Sequence, residues 1–178
     1  AEFAHSAGAD VINSSLGYTT FDDSTQNHTY NDLDGNTTRI AIGADIAASK
    51  GMLIVVAAGN KGTQPWHYIS TPGDADSVLT IGSVDEFENY SNFSSAGPTA
   101  DGRIKPDVTA MGEGTFIQTA SGGYGTGNGT SLSSPLISGL AACLWQAHPS
   151  FSNMELMHAI RLSADQYNNP DNEKGYGI

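Results

Sequence analysis

Five consecutive apolar residues, Leu53-Ile54-Val55-Val56-Ala57, constrain the fold of this chain more than any other feature of it. A strand with one wet face alternates apolar and polar residues, because successive side chains point to opposite sides. A run without alternation needs cover on both faces, the environment of a parallel sheet flanked by helices. Val78 to Val84 reads as a second buried strand. Ahead of the first, the spacing predicts a helix over about Thr38 to Lys50, with Ile40, Ala44, Ala47 and Ala48 on one face and Gly51 at its stop. Val11-Ile12-Asn13 reads as an earlier short strand. Strand, helix and buried strand alternate as in βαβ units, so the expected fold class is α/β.

Ala1 to Ala7 reads as a helix entered partway along, and residues 18–37 as a polar loop with turn signals at Asn31-Asp32 and Asp34-Gly35. Gly112 to Gly129 is glycine-rich, with a strand expected near Thr115 to Gln118. A helix follows from about Ser131 to His148, before Pro149, and Ser152 caps a last one through about Ala164. With 178 residues, no repeat and no linker, the chain reads as one domain. Its net charge of −12, with seven Lys and Arg scattered singly, argues against nucleic-acid binding and against attachment to an anionic membrane. The longest apolar run, Met52 to Ala58, is far short of the roughly 20 residues that span a bilayer. Cys143 is the only cysteine, which excludes intrachain disulfides and thiolate metal clusters; its apolar surroundings, Leu140 to Trp145, predict a buried, inert thiol.

Three segments carry chemistry. In Gly129-Thr130-Ser131-Leu132-Ser133-Ser134-Pro135, glycine permits a sharp approach and Ser131 stands at a helix N-terminus, where free N–H groups favour developing negative charge. That placement suits a nucleophile beside an oxyanion, although a plain N-cap serine looks the same. A phosphate loop would need a lysine before the Ser/Thr, and none lies between Lys105 and Lys174; a nucleophile elbow would need glycine where Ser133 stands. Ala57-Ala58-Gly59-Asn60 ends the buried strand, and an amide at a C-terminal strand end can donate to a ligand in the crevice, unless the Asn merely belongs to a turn. Asp10-Val11-Ile12-Asn13-Ser14-Ser15-Leu16-Gly17 leads from a strand into a small-residue edge able to pair with an extended peptide.

Together these segments resemble the subtilisin-like serine protease (subtilase) family in residue type, order and spacing. Pro72-Gly73, Ser94-Ser95-Ala96-Gly97-Pro98, Lys105-Pro106-Asp107-Val108 and Gly175-Tyr176-Gly177-Ile178 add matches that cover nearly the whole chain. The resemblance implies a three-layer, parallel-sheet, subtilisin-like α/β fold, truncated on its N-terminal side and just before the last helix. Residues 1–178 would then be a partial catalytic domain without the upstream Asp and His segments. Ser131 would attack the scissile carbonyl and form an acyl-enzyme, while the Asn60 amide and the Ser131 N–H hold the oxyanion. Ser15, Leu16 and Gly17 would pair with the substrate backbone and form one wall of the primary specificity pocket. Ala57, Ala58 and Gly59 would form the other wall, with the stretch before Pro72-Gly73 at the base and Gly129 and Thr130 beside the substrate. None of His5, His28, His67, His148 and His158 stands in the family's context for the base.

The resemblance therefore implies a secreted or cell-surface endopeptidase acting on peptide or protein substrates, whose 178-residue piece is inactive alone. The alternative is a pseudoprotease or peptide-binding module without hydrolysis. No cofactor or metal site is expected, although calcium often stabilises the intact domain in this family; Asp22, Asp23, Asp32 and Asp34 read as a solvated loop. The edge and apolar faces left by the missing strands predict self-association of the piece.

Overall fold

The apolar run at 53–57 lies inside a parallel sheet in the computed structural model, which describes all 178 residues. In chain order the elements are α1 (Glu2–Ser6), β1 (Val11–Ser14), α2 (Arg39–Ser49), β2 (Leu53–Ala57), β3 (Leu79–Val84), β4 (Val108–Met111), β5 (Thr115–Gln118), β6 (Tyr124–Gly127), α3 (Thr130–Ala147) and α4 (Asn153–Ser163). Strands β1 to β4 form one parallel sheet in sequence order, while β5 and β6 form a separate antiparallel hairpin.

Alternation along each buried strand feeds two cores. Leu53, Val55, Leu79, Ile81, Val108 and Ala110 face α3 and α4, where Ile137, Ala141, Leu156, Met157 and Ile160 meet them. Ile54 and Val56 point the other way, onto Ala41, Ala44, Ala47 and Ala48 of α2. The result is the expected three-layer α/β arrangement of helix, sheet and helix.

Two helical faces differ from expectation. Ile40 is 38% exposed, and Ala41, wholly buried, takes the place expected for it. The Thr38 hydroxyl caps α2 by accepting from the Ala41 N–H at 3.3 Å and is tied to the Thr71 hydroxyl at 2.5 Å. That tether sets the helix rotation so that small alanines, not Ile40, lie close against the sheet. Cys143 is exposed rather than buried. Helix α3 turns Ile137 and Ala141, with Leu144 and Trp145 in part, onto the sheet; Leu136 and Leu140, at 49% and 51% exposure, share the open side with the thiol.

A charged knot fastens the sheet to α4. The Lys105 ammonium donates to the Val78 carbonyl at 2.9 Å, the Thr80 hydroxyl at 3.1 Å and Asp107 Oδ2 at 2.8 Å. Arg161 reaches the other oxygen of Asp107 at 2.5 Å, and Asp107 Oδ2 also accepts from the Thr80 N–H at 2.6 Å. Lys105 and Asp107 are buried, and such burial is tolerable only because each charge meets its opposite and its hydrogen bonds. Burial pushes the Asp107 carboxyl up, but the pull of Lys105 and Arg161 outweighs it and holds the group below its ordinary range.

Candidate active site

Strand register brings two of the predicted segments together. Val11 pairs with Leu53 and Ser14 with Val56, so the chain leaving β1 as Ser15-Leu16-Gly17 runs beside the chain leaving β2 as Ala58-Gly59-Asn60. Both exits lie at the C-terminal ends of parallel strands, where a crevice opens in folds of this kind. Leu16 is 59% exposed on this edge. Ser70 sits between the two exits: a β-carbon at Gly17 would stand 2.8 Å from Ser70 Cβ, and one at Gly59 would stand 3.0 Å from Ser70 Oγ. Any larger residue at 17 would therefore collide at the base, and one at 59, where φ is +110°, would be strained and would crowd the Ser70 hydroxyl. Ser70 was not singled out by the sequence, although it lies just before Pro72-Gly73, in the stretch expected to close the pocket. Ala57 and Ala58 are buried, and Ala58 packs with Leu33 and Ile69, so of the three residues of that wall Gly59 stands nearest the gap.

The glycine-rich segment delivers Ser131 to the same crevice. The hairpin of β5 and β6 returns the chain to Gly129, whose N–H bonds the Gly112 carbonyl at 2.7 Å. Gly129 has φ +154°, a conformation that favours glycine, and a β-carbon there would stand 3.0 Å from Ser131 Oγ and 3.4 Å from Asn60 Nδ2. The hydroxyl of residue 131 and the amide of residue 60 thus face one common point, and only glycine at 129 leaves that point open.

Thr130 fixes the orientation of Asn60. Asn60 Oδ1 accepts from the Thr130 N–H at 2.9 Å and from its hydroxyl at 3.0 Å, and the Gly59 N–H in turn donates to that hydroxyl at 3.2 Å. With its carbonyl side engaged twice, the amide turns Nδ2 outward as a free donor. Thr130 is buried, so its hydroxyl serves Asn60 and Gly59. Ser131 occupies the first turn of α3, where its own N–H has no intrahelical partner. Two N–H donors and one hydroxyl therefore converge without any charged side chain, the arrangement required to stabilise an oxygen that becomes negative during reaction.

No imidazole faces Ser131. His28 lies edge-on to Phe21, His148 stacks on Phe151, and His158 meets Tyr167. His67 is bonded to the Gly62 carbonyl, and His5 is exposed on α1. The loop carboxylates are engaged by their own neighbours. Asp23 accepts from Thr25, Asp32 from Thr29, and Asp34 from Asn36 and Thr37, bonds that hold all three below the ordinary carboxylate range.

Comparison with known proteins identifies the family and the fold. A family model described as the subtilase family matches residues 1–177. Subtilisin DY of Bacillus licheniformis is 31% identical over 164 residues, covering 92% of this chain and 52% of its own length. The thermophilic serine proteinase of Bacillus sp. (strain AK1) is 30% identical over 175 residues, or 98% of this chain and 37% of that protein. The halolysin-like extracellular serine protease Nep of Natrialba magadii is 35% identical over 127 residues, 71% of this chain and 22% of that one. The chain spans about half the length of these relatives or less. Among solved structures, sphericase superposes with a TM-score of 0.75 at 26% identity, over 99% of this chain and 59% of its own. MycP1 from Mycobacterium smegmatis does so with 0.74 at 28%, over 98% and 50%.

Proposed function

Because the chain belongs to the subtilase family, we propose that it is the nucleophile-bearing part of the catalytic domain of a secreted or cell-surface serine endopeptidase. The observation that carries the reading is the shared point in front of Ser131 Oγ and Asn60 Nδ2. A peptide carbonyl placed there is attacked by Ser131 Oγ, whose proton passes to an imidazole base; the carbonyl π electrons move to oxygen, which Asn60 Nδ2 and the Ser131 N–H hold. Collapse of this intermediate breaks the C–N bond, the protonated imidazole gives its proton to the amine, and an acyl-enzyme remains for water to hydrolyse. The edge Ser15-Leu16-Gly17 pairs with the substrate backbone, and Gly17, Gly59 and Ser70 bound the pocket for the residue before the scissile bond.

The base must come from residues other than these 178, since all five imidazoles lie elsewhere. The family's chain order of Asp, His and Ser has both partners preceding Ser131. The 178-residue chain alone is therefore inactive: in subtilisin itself, loss of the histidine costs about as much turnover as loss of the whole triad, on the order of 10⁶. The free edge of β1 and the open face of α3 favour its self-association, which light scattering across a concentration series measures. Extracellular location follows the relatives, one of which is extracellular by name.

The test is hydrolysis of an unstructured protein by the intact parent. Phenylmethanesulfonyl fluoride should abolish it by modifying Ser131, Ser131→Ala should lower turnover about 10⁶-fold, and the isolated chain should show none. Hydrolysis that survives Ser131→Ala would refute the assignment.

A further inference from the structure

A side chain outside the nucleophile and the oxyanion donors sets how the substrate edge meets the nucleophile. In an α-helix the carbonyl of residue 131 would accept from the N–H of residue 135, but that residue is Pro135 and has no N–H. The orphaned Ser131 carbonyl accepts instead from the Ser15 hydroxyl at 3.1 Å, across 116 residues of sequence. Ser15 opens the segment that pairs with the substrate, so this bond joins the peptide-binding edge directly to the residue that attacks the peptide.

The direction of the Ser15 proton is decided by Asn13. Asn13 Nδ2 donates to Ser15 Oγ at 3.1 Å, which occupies the hydroxyl as an acceptor and leaves its proton for the Ser131 carbonyl. The amide cannot turn over without loss. Its Oδ1 accepts from the Ser134 hydroxyl at 2.6 Å and lies 3.1 Å from the Ser138 hydroxyl, whose one proton is shared with the Ser134 carbonyl at 3.0 Å; both serines are on α3. Hydroxyls of α3 thus orient Asn13, Asn13 orients Ser15, and Ser15 holds the carbonyl of the nucleophile. We propose that Asn13 is a positioning residue for peptide hydrolysis, fixing the Ser15-Leu16-Gly17 edge in register with Ser131 through the Ser15 hydroxyl. This rests on the endopeptidase reading above.

Asn13→Asp separates orientation from shape. An ionised carboxylate at position 13 still accepts from Ser134 and Ser138, but it also draws the Ser15 proton away from the Ser131 carbonyl. In the intact parent protein, kcat for a peptide substrate should fall about tenfold with KM changed less than twofold, as expected for one misdirected hydrogen bond. The variant-to-parent ratio of kcat should recover as pH falls below about 5, because a protonated carboxyl can again donate to Ser15. Ser15→Ala should lower kcat similarly without that pH dependence, and the double variant should be no slower than Ser15→Ala alone. Unchanged melting temperatures exclude unfolding, and Ser15→Ala carries the test if Asn13→Asp does not fold. A kcat for Asn13→Asp within twofold of the parent, a ratio indifferent to pH, or additive effects in the double variant would overturn the inference while leaving the endopeptidase reading intact. Hydrolysis indifferent to Ser131→Ala would overturn both.

Discussion

Two polar networks hold this molecule, and they are built from opposite materials. The one around Ser131 uses hydroxyls, amides and backbone groups, with no charge, and leaves Asn60 Nδ2 free of any partner. The one around Asp107 uses three charges, leaves neither carboxylate oxygen free, and joins β3, β4 and α4. The difference teaches what each is for. A group that must receive a developing charge has to keep a donor unspent, whereas a group that fastens elements together should be saturated. The neutral network positions and the charged one holds.

The comparison breaks most visibly at Asp107. Asp107→Asn leaves the buried Lys105 and the partly buried Arg161 without their counter-charge, and such a loss costs about 3–5 kcal/mol. Denaturant unfolding should show this deficit while kcat per folded molecule stays unchanged. The pH dependence has a definite sign. The folded Asp107 carboxyl lies below its unfolded value, so its contribution is present above the ordinary 3.8 and is lost as pH falls through the lower folded value. The deficit of the variant should therefore shrink in strong acid. A variant with normal stability but reduced kcat would erase the distinction between the two networks.

Asn60→Ala tests the other half. Removal of the corresponding donor in subtilisin lowers turnover about 10²–10³-fold, and the same loss is expected in the parent of this chain, with unfolding free energy lowered by only about 1 kcal/mol as the Thr130 N–H and hydroxyl lose their acceptor. Asp74 sharpens the comparison from a third side, as a buried carboxylate with one oxygen unpartnered and the other held by the Gly35 N–H at 3.1 Å. Burial pushes it above its ordinary value. Its folded form holds the proton more tightly than its unfolded form, so stability falls as pH rises from 3.8 through that raised value. Asp74→Asn should remove that slope and raise stability at pH 7 by about 1 kcal/mol, with no gain near pH 3, as read by melting temperature across pH.

Much of this was legible in the sequence because it was local. Unbroken apolarity marks β2, Val78, Leu79, Ile81 and Val84 mark β3, and Ser152 with Glu155 makes a capping box at the start of α4. Ser131 and Asn60, which the fold brings together, each stand in a short motif at an element's end. Strands β4 and β6 were not read: Val-Thr-Ala-Met is too short for a period, and Tyr-Gly-Thr-Gly carries two glycines that read as loop. The rotation of α2 depends on Thr38 meeting Thr71, a contact across 33 residues. Lys105 and Asp107 were visible only as part of a family motif, with no sign that Arg161 joins them. The bond from Ser15 to the Ser131 carbonyl exists because Pro135 withholds an N–H, and nothing in the sequence names the replacement donor.

The open side of α3 has a practical consequence. Its exposed thiol is the only one in the 178 residues, so a single alkylating label reads out whether that helix face is occupied. Rapid modification of Cys143 means bare helix. Protection from the reagent means that another surface, from a partner copy or from elsewhere in the parent protein, lies across Leu136 and Leu140. One reaction rate would thus report cover of that helix face as it happens, without perturbing the crevice where Ser131 and Asn60 meet.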